Sequence, residues 1–166
     1  MKKTNMRAGF TMIELIFVIV IIGILAAIAM NKLSATRDDA KISQIIANAK
    51  TFVNDAKAYY TAQGYNKWTG SNGATAATIG DITDVPLYDA NCSSLPISTP
   101  ADANGTLGYL CANGQKIVKI DTNDTHITIS DGGGSGAVHD AVVNNSTFKA
   151  IAKSVRLGGA GVNFGN

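Results

Sequence analysis

The sequence has 166 residues and a mass of 17.2 kDa, which allows one modest domain with an appendage. Charged residues make up 16% of it, against about 25% in an ordinary soluble domain, and the net charge of +2 gives no indication of nucleic-acid binding. Two His and a single Glu, Glu14, leave little material for a multi-ligand metal site or for a hydrolase with paired carboxylates. We therefore expect neither an enzyme nor a bound cofactor.

The first element is an apolar run over 10–30, which reads FTMIELIFVIVIIGILAAIAM and contains one charged residue, Glu14. As a helix it would span roughly 31 Å, the thickness of a bilayer core. Lys2, Lys3 and Arg7 precede the run, and such basic flanks stay on the cytoplasmic side. The pattern predicts a single membrane span, with the rest of the chain outside the cytoplasm.

A secretory signal peptide cleaved near Ala29 and a plain membrane anchor are the alternatives. The apolar run is longer than the roughly 7–15 residues of a signal peptide. A plain anchor gains nothing from Glu14, because a carboxylate inside a membrane helix is costly. No Lys, Arg or His lies within the run, so we expect the partner of Glu14 to come from another chain or from a newly formed N-terminus.

Residues 9–14, GFTMIE, follow a short basic leader and precede an unbroken apolar helix. This arrangement, over about Lys2 to Met30, resembles the prepilin peptidase site of type IV pilins and type II secretion pseudopilins. The resemblance implies cleavage between Gly9 and Phe10, N-methylation of Phe10, and pairing of Glu14 with the N-terminal amine of a neighbouring subunit. It also implies three partners, a prepilin peptidase, an inner-membrane platform protein and an assembly ATPase.

The helical pattern continues beyond Asn31, where many members of this family have a Pro that kinks the helix. Apolar residues recur at three- and four-residue spacing from Ile42 to Tyr60, and neither Pro nor Gly interrupts 24–63. We predict one helix over 11–63, straighter than in members with the Pro and ended by Gly64. Its first half is apolar all round, whereas its second half is amphipathic and suited to packing on a head.

The composition changes after residue 63, since all three Pro lie beyond it. Residues 64–84 predict a loop, and three strands are predicted over 107–111, 115–120 and 125–130. Asn113-Gly114 between the first two is a strong hairpin signal, because both residues accept the positive φ of a type I′ turn. The predicted fold class is α+β and pilin-like, with a long N-terminal helix packed on a small antiparallel meander. The predicted organisation is a cytoplasmic leader over 1–9, a transmembrane or filament-core helix over 10–30, its amphipathic half over 31–63, and a globular head over 64–166.

The C-terminal part begins with a Gly-rich linker over 131–136, which lacks the setting of a phosphate loop. Phe148, Ile151 and Val155 have helical spacing. They predict a short helix with Ser146 as N-cap and Gly158 at its end. The last eight residues are expected to fray.

Two cysteines, Cys92 and Cys111, fall in the part expected outside the cytoplasm, where an even count favours a disulfide. Such a bond would close a loop of about 20 residues and stabilise the head by roughly 3 kcal/mol. Without a C-x-x-C motif or a nearby His, a catalytic or metal-binding pair is disfavoured. His126 and His139 are isolated, and we expect surface or core roles for them.

Oxygen-bearing residues cluster near the predicted strand ends. Calcium favours such ligands, but the spacing lacks the Gly and Glu of a 12-residue calcium loop. Turn residues at strand ends are the commoner explanation, so no metal is predicted. The weak calcium candidates are Asp121, Asn123, Asp124 and Asp131.

One polar pattern recurs three times, more often than random placement predicts, although loops favour these residue types anyway. It has the form acid-x-Asn-x-Ser/Thr, which resembles the extended acceptor sequence of bacterial N-linked glycosylation. Its three copies are Asp89-x-Asn91-x-Ser93, Asp102-x-Asn104-x-Thr106 and Asp121-x-Asn123-x-Thr125. Asn91, Asn104 and Asn123 are therefore candidate glycan acceptors.

Together these features favour a subunit of a homo-oligomeric helical filament, a type IV pilus used in adhesion, motility or DNA uptake. The alternatives are a pseudopilin of a type II secretion system and a membrane-anchored periplasmic binding module. The expected location is the bacterial inner membrane, single-pass with the head in the periplasm. After assembly it would be a surface pilus or a periplasmic pseudopilus.

Overall fold

The computed structural model describes residues 10–96, 98–101 and 105–158. The chain divides into two units, with the division between Arg37 and Asp38. Helix α1 (Met12–Thr69) runs through the first unit and into the second. The second unit also contains α2 (Ile79–Ile82), β1 (Gly105–Ala112), β2 (Gln115–Thr122), β3 (His126–Asp131), α3 (Ala137–Asn144), α4 (Ser146–Ile151) and β4 (Ser154–Arg156). The leader and the last eight residues lie outside the described residues.

The predicted fold class is confirmed, because α1 packs on a small antiparallel sheet in the order β1-β2-β3-β4. The Asn113-Gly114 turn joins β1 to β2, and both residues have positive φ, 53° and 72°. In β3 only Ile127 and Ile129 are buried, which is the alternation of a sheet with one face on the core. One core cluster joins these residues to the apolar stripe of α1, represented by the fully buried Phe52.

The prediction that Gly64 ends the first helix is confirmed, because α1 consists of two helices that meet at a kink where Gly64 has φ 77° and ψ 178°. The sequence did not predict the second, short helix, which ends at Thr69. The extra turn places Trp68 in the core with no exposed surface, 6.4 Å from the ring centroid of Tyr59 and 6.1 Å from that of Tyr60. Burial of this indole explains why the chain turns again after the glycine.

The predicted loop over 64–84 also contains a helical turn, α2. The Thr78 hydroxyl and the Thr78 N–H both donate to the Asp81 carboxylate, at 2.8 and 2.9 Å. This pairing is the capping-box arrangement, which stabilises a helix start locally. Ile79 and Ile82 anchor the turn in the core.

The predicted C-terminal helix is correct only in its first half. Helix α4 ends at Ile151, and Ser154–Arg156 forms a fourth strand that pairs with β3. Without it, β3 would present an open edge, and edges of this kind are commonly covered in native sheets. The N-cap is Asn145 and not Ser146, since the Asn145 side chain accepts from the N–H groups of Thr147 and Phe148.

The Gly-rich linker after β3 passes close to the backbone of β2. A Cβ atom at Gly134 would lie 2.2 Å from the carbonyl oxygen of Lys116, a contact that no side chain tolerates. The glycine is therefore required by this close approach, which leads the chain into α3.

Candidate processing and assembly segment

The predicted cleavage site spans the limit of the described structure. Gly9 lies outside the described residues, whereas Phe10 and Thr11 directly precede α1. The Phe10 side chain is 82% exposed. Phe10 therefore lies just before the first turn of α1, with its side chain accessible to a neighbouring molecule.

Glu14 has hydrogen-bond partners within its own chain. Its carboxylate oxygen Oε2 accepts from the Thr11 N–H and from the Thr11 hydroxyl, both at 2.8 Å. In return the Glu14 N–H donates to the Thr11 hydroxyl oxygen at 3.3 Å. Thr11 and Glu14 therefore form a capping box at the start of α1.

This local pairing differs from the sequence-based expectation that any partner of Glu14 must come from elsewhere. That expectation considered only cationic partners. The spacing Thr-x-x-Glu ahead of an apolar run is itself a helix-start signal and would have identified the pairing. Glu14 holds a negative charge where the N–H groups of the first helical turn are unpaired, and that position suits an anion.

The helix surface after this cap is apolar and uncovered. The large apolar side chains from Phe10 to Leu33 are between 41% and 82% exposed. An 18-residue window of α1 has a mean hydropathy of 3.0, and none of it is buried, so by length and composition this helix is able to cross a membrane. Exposed apolar surface of this extent marks an interaction with a membrane or with other proteins.

Comparison with known proteins shows which family motif this segment matches. A family model described as the prokaryotic N-terminal methylation motif matches residues 4–30, which include Gly9, Phe10 and Glu14. Over this segment, the chain is similar to type IV pilin-family proteins. The family consists of structural subunits and not of enzymes, and its general properties are peptidase processing and filament assembly.

A curated relative agrees with this assignment. The chain is 35% identical over 81 residues to a fimbrial protein of Neisseria meningitidis serogroup A / serotype 4A. The aligned part is 49% of this chain and 45% of that protein, so the chain spans less than half the length of the relative. No solved structure matches the chain.

The head contains a disulfide between Cys92 and Cys111, whose Cα atoms are 5.8 Å apart. Cys111 lies in β1, and Cys92 lies in the preceding loop with φ 60°. The bond closes a loop across a sequence separation of 19 residues. It fastens a segment with little regular structure to the first strand of the sheet.

The weak calcium candidates do not form one site. Asp121 pairs with Thr128 and Asp131 pairs with Val118, so the two carboxylates lie on opposite faces of the sheet. Asp121 accepts from the Thr106 hydroxyl at 2.7 Å and lies 2.9 Å from the Lys119 ammonium. Within the described ranges, no group of three His, Cys, Asp or Glu is placed to hold a metal ion.

Asp131 instead belongs to a cluster that sequence reasoning missed. Nε2 of His139 lies 2.7 Å from Oδ1 of Asp131, and Nδ1 lies 3.0 Å from Oδ1 of Asp140. The His139 side chain is buried, and hydrogen bonds to Asp140 and then to Asp131 raise the pKa of its imidazole. The Gly133 N–H and then His139 lower the pKa of the Asp131 carboxyl. In the sequence only His139 and Asp140 are adjacent. Asp131 lies in β3, so its proximity to His139 depends on the fold.

Proposed function

We propose that the protein is a subunit of a type IV pilus-like filament. The observation that carries this proposal is the exposure of the large apolar side chains from Phe10 to Leu33. Before assembly the bilayer would bury this surface, and in a filament the equivalent helices of other copies would bury it. The heads would then form the outer surface, and the work of the protein is mechanical.

Processing would precede assembly. A prepilin peptidase would remove residues 1–9 and methylate the new N-terminal amine of Phe10, as the matched motif supports. The precursor would span the inner membrane over 10–30 with its head in the periplasm. A platform protein and an assembly ATPase would then move the processed subunit into the filament.

Glu14 would act in two successive states. In the single chain its carboxylate caps α1 through Thr11. Cleavage creates a positive amine at Phe10, and in the filament Glu14 would pair with the amine of a neighbouring subunit. Burial of such a pair has its own desolvation cost, so the pair would set the register between subunits more than it adds stability.

Three substitutions separate these two states. Glu14→Gln removes the charge but retains a side chain that serves in a capping box. Thr11→Ala removes the capping hydroxyl and retains the charge. Glu14→Val removes both. We expect all three chains to insert into the membrane and to be cleaved after Gly9, as measured by membrane fractionation and by mass analysis of the N-terminus.

Incorporation into sheared filaments is the deciding measurement. If pairing between subunits drives assembly, the Gln and Val variants are absent from filaments, and the Thr11→Ala variant enters them at close to the normal level. Normal incorporation of the Gln variant would show that Glu14 acts through the cap alone. Normal incorporation of the Val variant would remove any assembly role for Glu14.

A pseudopilin of a type II secretion system is the second candidate. It is favoured by Asn31, since α1 continues through that position without the Pro that many pilins have. Electron microscopy of cells with a tagged chain separates the candidates. Long surface filaments that contain the tag support the pilus subunit, whereas a tag confined to short periplasmic fibres supports the pseudopilin. A tag that stays in the membrane without fibres overturns both.

A further inference from the structure

The acid-x-Asn-x-Ser/Thr pattern is the feature that the proposed filament function does not explain. Two of its three copies lie in the described structure, around Asn91 and Asn123. In the third copy, Asp102 and Asn104 lie outside the described residues. The two described copies have the same sequence form, so any difference between them must come from the fold.

In the copy around Asn123 the residue is exposed, but its carboxamide oxygen is held by hydrogen bonds. The Asn123 side-chain oxygen accepts from the N–H groups of Thr125 and His126, at 3.1 and 2.7 Å. The Thr125 hydroxyl contacts Nδ1 of His126 at 2.8 Å. Both oxygens of Asp121 are also occupied, one by Thr106 and the other by Lys119.

The backbone of Asn123 is held as well. Its N–H donates to the carbonyl oxygen of His126 at 2.9 Å, and its carbonyl oxygen accepts from the Trp68 indole at 3.3 Å. Release of Asn123 would therefore break bonds to two other elements, β3 and the end of α1. A reaction that requires the Asn123 side chain to change conformation would have to break these bonds first.

The copy around Asn91 differs in its side-chain hydrogen bonds. Asn91 and Ser93 are both exposed, and within the described part of the chain neither the Asn91 carboxamide nor the Ser93 hydroxyl has a hydrogen bond. The turn is held by groups other than these two. Oδ1 of Asp89 accepts from the N–H groups of Asn91 and Ser93, both at 2.8 Å. The central residue, Cys92, is fastened to β1 through the disulfide.

We propose that Asn91 is the acceptor of an N-linked oligosaccharide and that the folded head withholds Asn123 from the same reaction. The donor class is a lipid-linked oligosaccharide, a polyprenyl diphosphate ester. The Asn91 carboxamide nitrogen forms the new bond to C1 of the first sugar and loses one proton. The bond between C1 and the diphosphate oxygen breaks, and the polyprenyl diphosphate leaves with that electron pair. The inference rests on the proposed function in one respect, since the head must be exported to meet such a donor.

Mass spectrometry of the chain purified from the cells that naturally produce it tests this inference. Trypsin places Asn91 and Asn104 in the peptide 68–116 and Asn123 in the peptide 120–149. Fragmentation of the first peptide then separates Asn91 from Asn104. We expect a hexose- or hexosamine-containing mass addition at Asn91 and an unmodified peptide 120–149.

Ser93 supplies the matched variants. Ser93→Ala removes only the free hydroxyl and leaves the backbone N–H that Asp89 accepts, so the turn and the disulfide are retained. It should abolish the added mass, Ser93→Thr should restore it, and Asn123→Gln should leave it unchanged. A disulfide-bonded Ser93→Ala chain on a non-reducing gel shows that the loss is not due to misfolding.

Three results would overturn the proposal. These are a chain with no added mass at Asn91, equal modification of Asn91 and Asn123, and full modification of the Ser93→Ala chain. A bare chain in normal filaments that begin at methylated Phe10 rejects the glycan alone and leaves the filament function intact. A chain that stays uncleaved in the cytoplasm rejects both.

Discussion

The two halves of α1 have the same backbone structure and opposite surroundings. From Phe10 to Arg37 every residue whose side chain is described is exposed, whereas beyond Asp38 the helix contributes fully buried side chains such as Phe52 to the core of the head. Both halves are helical, and the second half is interrupted by the kink at Gly64. The difference lies in the apolar surface, which is part of the core of the head in the second half and is exposed in the first.

This contrast predicts that the folding of the head is separable from the interactions of the first half of α1. The head has its own core, disulfide and sheet, so its stability should not depend on the first half of the helix. Substitutions on either side of Asp38 should therefore change different measurements. The single tryptophan, Trp68, is buried in the head and reports its unfolding without a signal from the first half.

The largest expected effect comes from truncation of the core. Phe52→Ala removes a fully buried aromatic side chain and should lower the unfolding free energy of the head by about 3–5 kcal/mol. Denaturant unfolding of the full chain in detergent, followed by Trp68 fluorescence, measures this loss. Membrane insertion should be unchanged.

Leu25→Ala is the matched control, because Leu25 is 60% exposed in the first half of α1. It should leave the unfolding of the head within about 0.5 kcal/mol of the original value. A large change in the unfolding free energy of the Leu25→Ala chain would show that the two units fold as one, and it would contradict the separation of the two halves of α1.

Loss of the disulfide should have the next largest effect. Cys92→Ser opens the loop fastened to β1 and should destabilise the head by about 3 kcal/mol, with insertion retained. Cys111→Ser and the double substitution should give the same loss, because each removes the same bond. Reaction of the native oxidised chain with two equivalents of a thiol reagent before unfolding would contradict the bond itself.

The sequence predicted those elements whose signals are periodic or local. The stripe from Ile42 to Tyr60 predicted the amphipathic half of α1, and the Asn113-Gly114 turn predicted the first hairpin. The register shifts within that hairpin, such as the one between Leu110 and Cys111, were not predicted. The processing motif was found because it depends on adjacent residues and needs no tertiary structure. At these positions the tertiary structure agrees with the local conformational preference of the chain, so the local signal predicts the structure.

What the sequence did not predict depends on tertiary contacts. Val155 has helical spacing from Phe148 and Ile151, yet it lies in a strand because β3 has an edge to cover. Helical structure resumes after Gly64 because Trp68 reaches the core beyond it. The His139 cluster was missed because Asp131 and His139 come from elements eight residues apart with a glycine linker between them.

The His139 cluster should make the stability of the head depend on pH. The raised pKa of His139 means that the folded state binds its proton more tightly than the unfolded state, whose pKa is about 6.5. This stabilisation is complete below about pH 6.5 and is lost as the pH rises through the raised value. The lowered pKa of Asp131 acts in the other direction, and its contribution is lost as the pH falls through the lowered value, below about 3.9.

His139→Gln should therefore cost most between about pH 4 and pH 6.5, by about 1–2 kcal/mol, and less above the raised pKa. Unfolding free energies of the two chains across this range measure the difference. His126→Gln is the control, because Nδ1 of His126 contacts a hydroxyl group and not a carboxylate. A cost for His139→Gln that is the same at all pH values would show that the side chain acts only by packing.

The smallest expected effect tests the start of α4, where sequence and structure disagree by one residue. The Asn145 side chain accepts from the N–H groups of Thr147 and Phe148, at 2.8 and 3.3 Å, so Asn145→Ala should cost about 1 kcal/mol. Ser146→Ala should cost much less, because Ser146 is the first helical residue and Ala favours that conformation. The same Trp68 transition measures both substitutions. If Ser146→Ala is the more costly of the two, the helix begins one residue later in solution and the sequence-based cap is the correct one.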